Sequence, residues 1–429
     1  MEQITKPHCG ARLDRLPDCR WHSSMFAIVA FGLLVCWSNA VGGLILAQLK
    51  ALGWTDNSTT ATFSAITTAG MFLGALVGGI IGDKTGRRNA FILYEAIHIA
   101  SMVVGAFSPN MDFLIACRFV MGVGLGALLV TLFAGFTEYM PGRNRGTWSS
   151  RVSFIGNWSY PLCSLIAMGL TPLISAEWNW RVQLLIPAIL SLIATALAWR
   201  YFPESPRWLE SRGRYQEAEK VMRSIEEGVI RQTGKPLPPV VIADDGKAPQ
   251  AVPYSALLTG VLLKRVILGS CVLIAMNVVQ YTLINWLPTI FMTQGINLKD
   301  SIVLNTMSMF GAPFGIFIAM LVMDKIPRKT MGVGLLILIA VLGYIYSLQT
   351  SMLLITLIGF FLITFVYMYV CYASAVYVPE IWPTEAKLRG SGLANAVGRI
   401  SGIAAPYAVA VLLSSYGVTG VFILLGAVS

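Results

Sequence analysis

"GDKTGRRNA" occupies Gly82–Ala90, and "MDKIPRKTM" occupies Met323–Met331. Each is a charged knot between long apolar runs, and each carries Asp-Lys-x-x-Arg followed by Arg or Lys. Asp83 and Asp324 lie 241 positions apart (324 − 83). Glu138-x-x-Pro141 returns as Glu380-x-x-Pro383 at an offset of 242 (380 − 138), and Arg145-Gly146 returns as Arg389-Gly390 at 244 (389 − 145). Three clusters in the same order at nearly constant spacing predict a chain built from two duplicated halves.

The runs between the knots set the class. Of 429 residues, 56% are hydrophobic and only 12% are charged, against about 25% charged in globular domains. That composition reads as a membrane protein. The net charge of +10 sits in short loops rather than in a patch interleaved with aromatics, so it reads as topology and not as nucleic-acid binding. The seven cysteines show no Cys-x-x-Cys spacing and are expected to be small buried hydrophobes.

Apolar runs long enough to span roughly 30 Å of hydrocarbon centre near Leu34, Gly70, Ile99, Val123, Ser164 and Leu190. A second set centres near Ala275, Pro313, Ile337, Ile363 and Ile400, and a twelfth begins near Gly417. The expected fold is an all-α integral membrane protein with twelve transmembrane helices in two pseudo-symmetric six-helix bundles. Residues 1–22 form an N-terminal segment, 23–201 the first bundle, 202–263 a polar linker with short surface helices, and 264–429 the second bundle. At about 1.5 Å per residue, Gly417–Ser429 reaches only about 20 Å, so the chain is expected to stop inside its last helix. The apolar run from about Ser23 is too long for a signal-peptide core, so no cleavage is expected.

Lys84, Arg87, Arg88, Arg143, Arg145, Lys325, Arg328, Lys329, Lys387 and Arg389 fall in one set of loops; only Lys50, Arg181 and Lys299 fall in the other. The richer side, with the N-terminus and the linker, is predicted to be cytoplasmic. Parallel six-helix halves are a transporter architecture, with the substrate site at the midplane between them. No HExxH, GxSxG or Walker-type loop is present, so neither an enzyme nor a cofactor or metal site is expected. The expected partners are a small-molecule substrate, protons and membrane lipid, and the expected state is a monomer.

Charged and polar residues at lipid depth are the candidate site. Arg399 lies about 15 Å into helix eleven. A charge there is costly and faces a cavity or a partner; its fork of donors suits a carboxylate or vicinal hydroxyls, and a structural tie is the alternative. Asn395 shares its face. Helix seven carries a polar stripe of Asn277, Gln280, Tyr281 and Asn285, which could bind substrate or join helices. Asn157 with Tyr160 on helix five, Trp37 and Asn39 on helix one, and Tyr367 on helix ten complete the substrate candidates. Glu95 is the coupling candidate within a span, with His98 one turn on. Gly70-x-x-x-Gly74-x-x-x-Gly78 predicts close helix packing.

These motifs resemble the major facilitator superfamily along nearly the whole chain. Gly79-x-x-x-Asp83-Lys84-x-Gly86-Arg87-Arg88 is similar to its loop 2–3 signature, and Arg118-x-x-x-Gly122-x-Gly124-x-Gly126 to its fourth-helix signature. The segments Glu138–Gly146 and Pro203-Glu204-Ser205-Pro206-Arg207-Trp208 are similar to sugar porters and organic-ion transporters. "QYTLINWLPTIF" (Gln280–Phe291) and "NAVGRISGIAAP" (Asn395–Pro406) resemble bacterial metabolite:proton symporters.

The chain departs from sugar porters at Ala275 and Met276, where they carry a Gln pair, and near Ser153, where they carry another Gln. The first-helix acid that carries the proton in many symporters of this branch is also absent from "FGLLVCWSNAVGG". The resemblance implies a secondary transporter importing a sugar, polyol, sugar acid or other organic acid, with proton coupling. A facilitative uniporter, a multidrug exporter and a non-transporting nutrient sensor are the alternatives. It implies a coupling role for Arg118. It also implies a gate made by Asp83, Arg87, Arg88, Glu138, Arg145, Glu204, Arg207, Asp324, Arg328, Glu380 and Arg389. In that gate Asp83 faces helix eleven and Arg87 reaches Glu138; by symmetry Asp324 faces helix five and Arg328 reaches Glu380.

Overall fold

A computed structural model describes residues 7–17, 19–36, 39–141, 145–240, 253–323, 325–349, 351–383 and 386–428, without the side chains of 133, 134, 137, 145, 146, 254, 387 and 388. Trp37 and Asp324, and the side chain of Arg145, lie outside what is described. The chain opens with α1 (Cys9–Asp14), α2 (Arg20–Val35), α3 (Gly42–Ala51), α4 (Asn57–Thr85), α5 (Arg87–Ala106) and α6 (Met111–Tyr139). It continues with α7 (Arg145–Asn157), α8 (Ser159–Leu170) and α9 (Ala176–Tyr201), then the linker helices α10 (Pro206–Ser211), α11 (Tyr215–Thr233) and α12 (Tyr254–Leu257). The second half is α13 (Gly260–Thr293), α14 (Leu298–Met309), α15 (Gly311–Val322), α16 (Arg328–Ser347), α17 (Met352–Cys371), a π-helical turn (Tyr372–Tyr377), α18 (Val378–Glu380) and α19 (Lys387–Val428).

Among the described residues, nine helices, counting α14–α15 and α17–α18 each as one, are long and apolar enough to cross a membrane. The other three crossings are hidden by breaks. The first is split between α2 and α3, and the fifth between α7 and α8 at Trp158. The eleventh and twelfth run together as α19, interrupted at Gly417 (φ 64°, ψ −158°), a conformation that favours glycine. The fold is therefore the twelve-helix arrangement in two halves that the repeat predicts.

The duplication is visible in packing. A Cβ on Gly70 would overlap the Phe119 carbonyl, and one on Gly74 the Val123 carbonyl, so α4 and α6 cross backbone to backbone. In the second half, Gly311 meets the Phe360 carbonyl and Gly315 the Thr364 carbonyl. All four pairs of positions differ by 241 (311 − 70, 315 − 74, 360 − 119, 364 − 123). The spacing of the charged knots is thus also the spacing of the tightest helix crossings.

The two halves meet at the end remote from the linker. Gly43 of α3 lies against the Ile284 and Asn285 carbonyls of α13. Asn305 Nδ2 of α14 donates to Ser164 Oγ of α8 at 3.1 Å, with both residues buried. Ala61 of α4 packs in one cluster with Trp286 and Ile290 of α13 and Val409 of α19.

Candidate functional site

Four side chains converge between the bundles at mid-depth. Tyr160 of α8 and Tyr367 of α17 stand edge to face with ring centroids 5.3 Å apart. The Tyr367 hydroxyl lies beside Gln280, and Tyr281 is near both tyrosines. Tyr281 in turn packs on α19 at Gly402, where Thr68 of α4 also approaches. Gln280 and Tyr160 stay partly exposed while Tyr281 and Tyr367 are buried. The sequence stripe on helix seven divides here: Gln280 and Tyr281 join this cluster, but Asn277 does not. Its amide donates to Leu273 O of its own helix at 2.7 Å and packs under Gly398 of α19.

Arg399 stands one residue beyond Gly398 and three before Gly402, half-buried, with no ion pair or hydrogen bond among the described residues. Asn395, one turn earlier, is exposed, and its amide returns to Ser391 O. Asn157 likewise donates to Ser153 O of its own helix. Asn39 lies in the break between α2 and α3, where its carbonyl accepts from Gly42 N.

Arg118 is 1% exposed. Its guanidinium lies 4.6 Å from the Phe63 ring, donates to Thr67 Oγ1 at 3.3 Å and faces Gly42, whose place near Asn285 brings the second bundle close. A side chain at position 42 would strike it. The sequence motif identified the arginine; this cradle comes from two other helices, α3 and α4. Glu95 and His98 of α5 are both fully buried, 3.5 Å apart.

At the linker end the first knot has a full set of partners. Arg87 Nε binds Glu138 Oε1 at 2.9 Å, and its Nη1 binds Asp83 Oδ1 at 2.7 Å. Asp83 is therefore turned to Arg87, with its side chain 63% exposed, and not to helix eleven as the motif implied. An arginine one turn away on the same side of the loop is its nearest charge.

Glu204 Oε1 accepts from the backbone N–H of Arg87 at 2.7 Å and of Arg88 at 3.2 Å. A carboxylate thus caps the first turn of α5, where free N–H groups and the helix dipole favour an anion. Gly86 (φ 100°) makes room, since a Cβ there would overlap the Glu204 carboxylate. In the second knot Arg328 binds Glu380 through Nε at 3.0 Å and Nη2 at 3.1 Å, and Pro327 stands where Gly86 stood. Both Arg–Glu pairs close within one bundle. Arg88 stacks near Trp199, and Arg389 begins the transmembrane run of α19.

The segment Pro203–Trp208 works as a peg. Pro203 O accepts from Tyr139 Oη at 2.6 Å, Ser205 Oγ bonds Glu138 and caps α10, Pro206 opens α10, and Trp208 Nε1 donates to Asp83 O at 2.7 Å. Arg207 departs from the gate reading: it binds Asp14 of the N-terminal segment at 2.9 Å.

Helix α1 is clasped onto the linker. Cys9, Leu13 and Leu16 share a small apolar core with Trp208, Met222 and Ile225. Arg12 bonds Glu219 and Glu226, and Arg15 bonds Glu226 at 2.7 Å. Burial works against ionisation of Glu226 and Glu219, but bonds from Arg12, joined by Arg15 at Glu226 and Arg223 at Glu219, hold both below the usual glutamate value of 4.5. Burial, with the Glu210 carboxylate, pushes the Cys9 thiol up to about 12.

A depressed carboxylate stabilises docking above its free value, and that contribution is lost as pH falls through the docked value. The clasp is expected to hold at neutral pH and loosen below the ordinary glutamate range. Glu226→Gln imitates protonation at constant pH. With Cys19 and Cys271 replaced by Ser, it is expected to raise Cys9 alkylation at neutral pH by roughly tenfold, from the loss of charged hydrogen bonds. Unchanged alkylation would show that the apolar core alone holds the segment.

Two six-helix halves, with a polar cluster between them at mid-depth and an intramembrane arginine on the helix against which that cluster packs, are the architecture of a secondary carrier. The chain matches the family model "Major Facilitator Superfamily" over residues 26–406 and belongs to that family. It is 44% identical over 429 residues to the inner membrane metabolite transport protein YdjE of Escherichia coli (strain K12), covering 99% of this chain and 94% of that protein. It is 25% identical over 403 residues to the niacin transporter NiaP of Acinetobacter baylyi, covering 93% and 89%. Its fold matches the xylose transporter XylE from E. coli, in a partially occluded inward open conformation, with a TM-score of 0.71 at 18% identity over 95% of this chain and 97% of that one. The protein is a multi-pass inner-membrane transporter of a small molecule and not an enzyme.

Proposed function

We propose that this carrier imports a small organic acid together with protons, by alternating access, with its N-terminus and linker in the cytoplasm. The observation that carries the reading is Arg399: a half-buried arginine inside a span, without an ion pair among the described residues, three residues before Gly402, on which Tyr281 of the Gln280–Tyr281–Tyr160–Tyr367 cluster packs. An unpaired cation at lipid depth is costly, and a substrate carboxylate would supply the missing anion through two parallel hydrogen bonds. The three tyrosines offer flat apolar faces with hydroxyl edges, suited to a ring or a hydroxylated chain. Loops rich in Lys and Arg on the linker side support the orientation, and packing of the halves at the opposite end is compatible with opening toward the linker. The knots and the Glu204 peg would then stiffen the cytoplasmic end of each bundle while the halves rock.

The test is uptake of labelled nicotinate, gluconate and xylose into proteoliposomes, with and without an inward-directed proton gradient. An acid is expected to accumulate only with the gradient, and xylose is not. Acid uptake indifferent to collapse of the gradient would leave a facilitative uniporter, which the acid-free first helix favours.

A further inference from the structure

The Glu95–His98 pair is used by neither the substrate cluster nor the knots. Both side chains are 0% exposed, Oε2 lies 3.5 Å from Nδ1, and Glu95 Oε1 has no hydrogen-bond partner among the described residues. The pair is sealed from behind, because Gly124 of α6 touches the His98 backbone. Its surroundings carry almost no charge. α4 has no ionisable side chain before Asp83, α6 none between Arg118 and Glu138, and α9 none between Arg181 and Arg200. From the described part of the first crossing, the Cys36 thiol comes within electrostatic reach of Glu95.

In such a place one shared proton keeps the pair neutral, whether it rests on the carboxyl or on the imidazole. Adding or removing a proton leaves a bare charge in an apolar interior, at a cost of several kcal/mol. The proton count can therefore change only where water reaches the pair. One turn before Glu95 on the same face, Phe91 lines a largely apolar cavity of about 20 Å³ in which Arg87 and Thr131 are the polar side chains, the volume of one water held by those two groups. Arg87 connects that cavity to the linker end, and Phe91 stands between it and Glu95. On its other side Cys36 is also within reach of Tyr160, a member of the substrate cluster.

We propose that Glu95 and His98 are the proton-binding site of this carrier, reached from the linker end through the Phe91 cavity and coupled to the substrate cluster past Cys36. The proposal rests on the proton-coupled reading above and puts the missing first-helix acid on the third crossing instead. The proton leaves as hydronium to the cavity water, so the step needs no other reactant.

The test uses substrate-free wild-type protein reconstituted in lipid, followed by infrared difference spectroscopy between acid and alkaline buffer. A carboxyl band of a buried acid is expected in the difference spectrum, to vanish in Glu95→Gln, and to change in frequency in His98→Gln through loss of the paired ring. Glu95→Asp is expected to keep the band, which controls for a variant that folds poorly. A band that persists in Glu95→Gln, or no such band in wild type, overturns the proposal. A band that behaves as expected in a protein whose uptake ignores the gradient keeps the site and overturns only the symport reading.

Discussion

Gly86→Ala is expected to lower the thermal midpoint of the purified carrier by several degrees and to abolish most uptake. Two costs coincide at this residue. Its backbone (φ 100°, ψ 163°) lies in a region nearly confined to glycine, where another residue costs about 1–3 kcal/mol. The new Cβ would also occupy the space of the Glu204 carboxylate. Expelling Glu204 strips the cap from Arg87 and Arg88, and hydrogen bonds to a charged group are worth about 1.5–3 kcal/mol each. Glu204→Gln, which keeps the glycine and halves the problem, is expected to fall between wild type and Gly86→Ala. Pro327→Ala, at the equivalent place in the second half, is expected to be mild, since among the described residues no carboxylate caps α16 there. Equal midpoints for Gly86→Ala and wild type would remove the peg from the account.

Arg399→Ala is expected to weaken binding of a transported acid by roughly 10–150-fold, the equivalent of about 1.5–3 kcal/mol for charge-assisted hydrogen bonds. Binding of a neutral polyol should change little. Arg399→Lys keeps the charge but loses the fork, so an intermediate affinity is expected. Ligand-induced thermal stabilisation in detergent reads all three. If a neutral ligand and an acid lose affinity alike, Arg399 holds the helices together and does not receive the substrate.

The sequence carried the fold because a membrane imposes long apolar runs and a duplication leaves paired marks. The Gly70–Gly78 spacing even announced a close helix crossing, though not that α6 is the partner. Breaks were less legible: nothing in "CWSNAVGG" marks where α2 ends and α3 resumes. Of the site, Gln280, Tyr281 and Arg399 were readable as polar groups in greasy surroundings. Asn277 and Asn157 looked alike by that criterion, yet their amides return to their own helices, a choice made by side-chain geometry alone. Asp83 and Arg207 pair with residues that the motif did not name, for a related reason: a charge motif does not say which of several nearby countercharges wins. The role of Arg207 required α1, whose few residues show no pattern until they meet α11.

The clasp between α1 and the linker also orders events during synthesis. Arg12 is made 207 residues before its partner Glu219 (219 − 12). At about 5–20 residues per second, that interval is on the order of 10–40 s. Throughout it the first basic residues remain an undocked cationic tail, free to hold the N-terminus on its side of the membrane while six crossings insert. The clasp can close only when α11 has emerged, so closure cannot precede synthesis of the whole first half of the carrier.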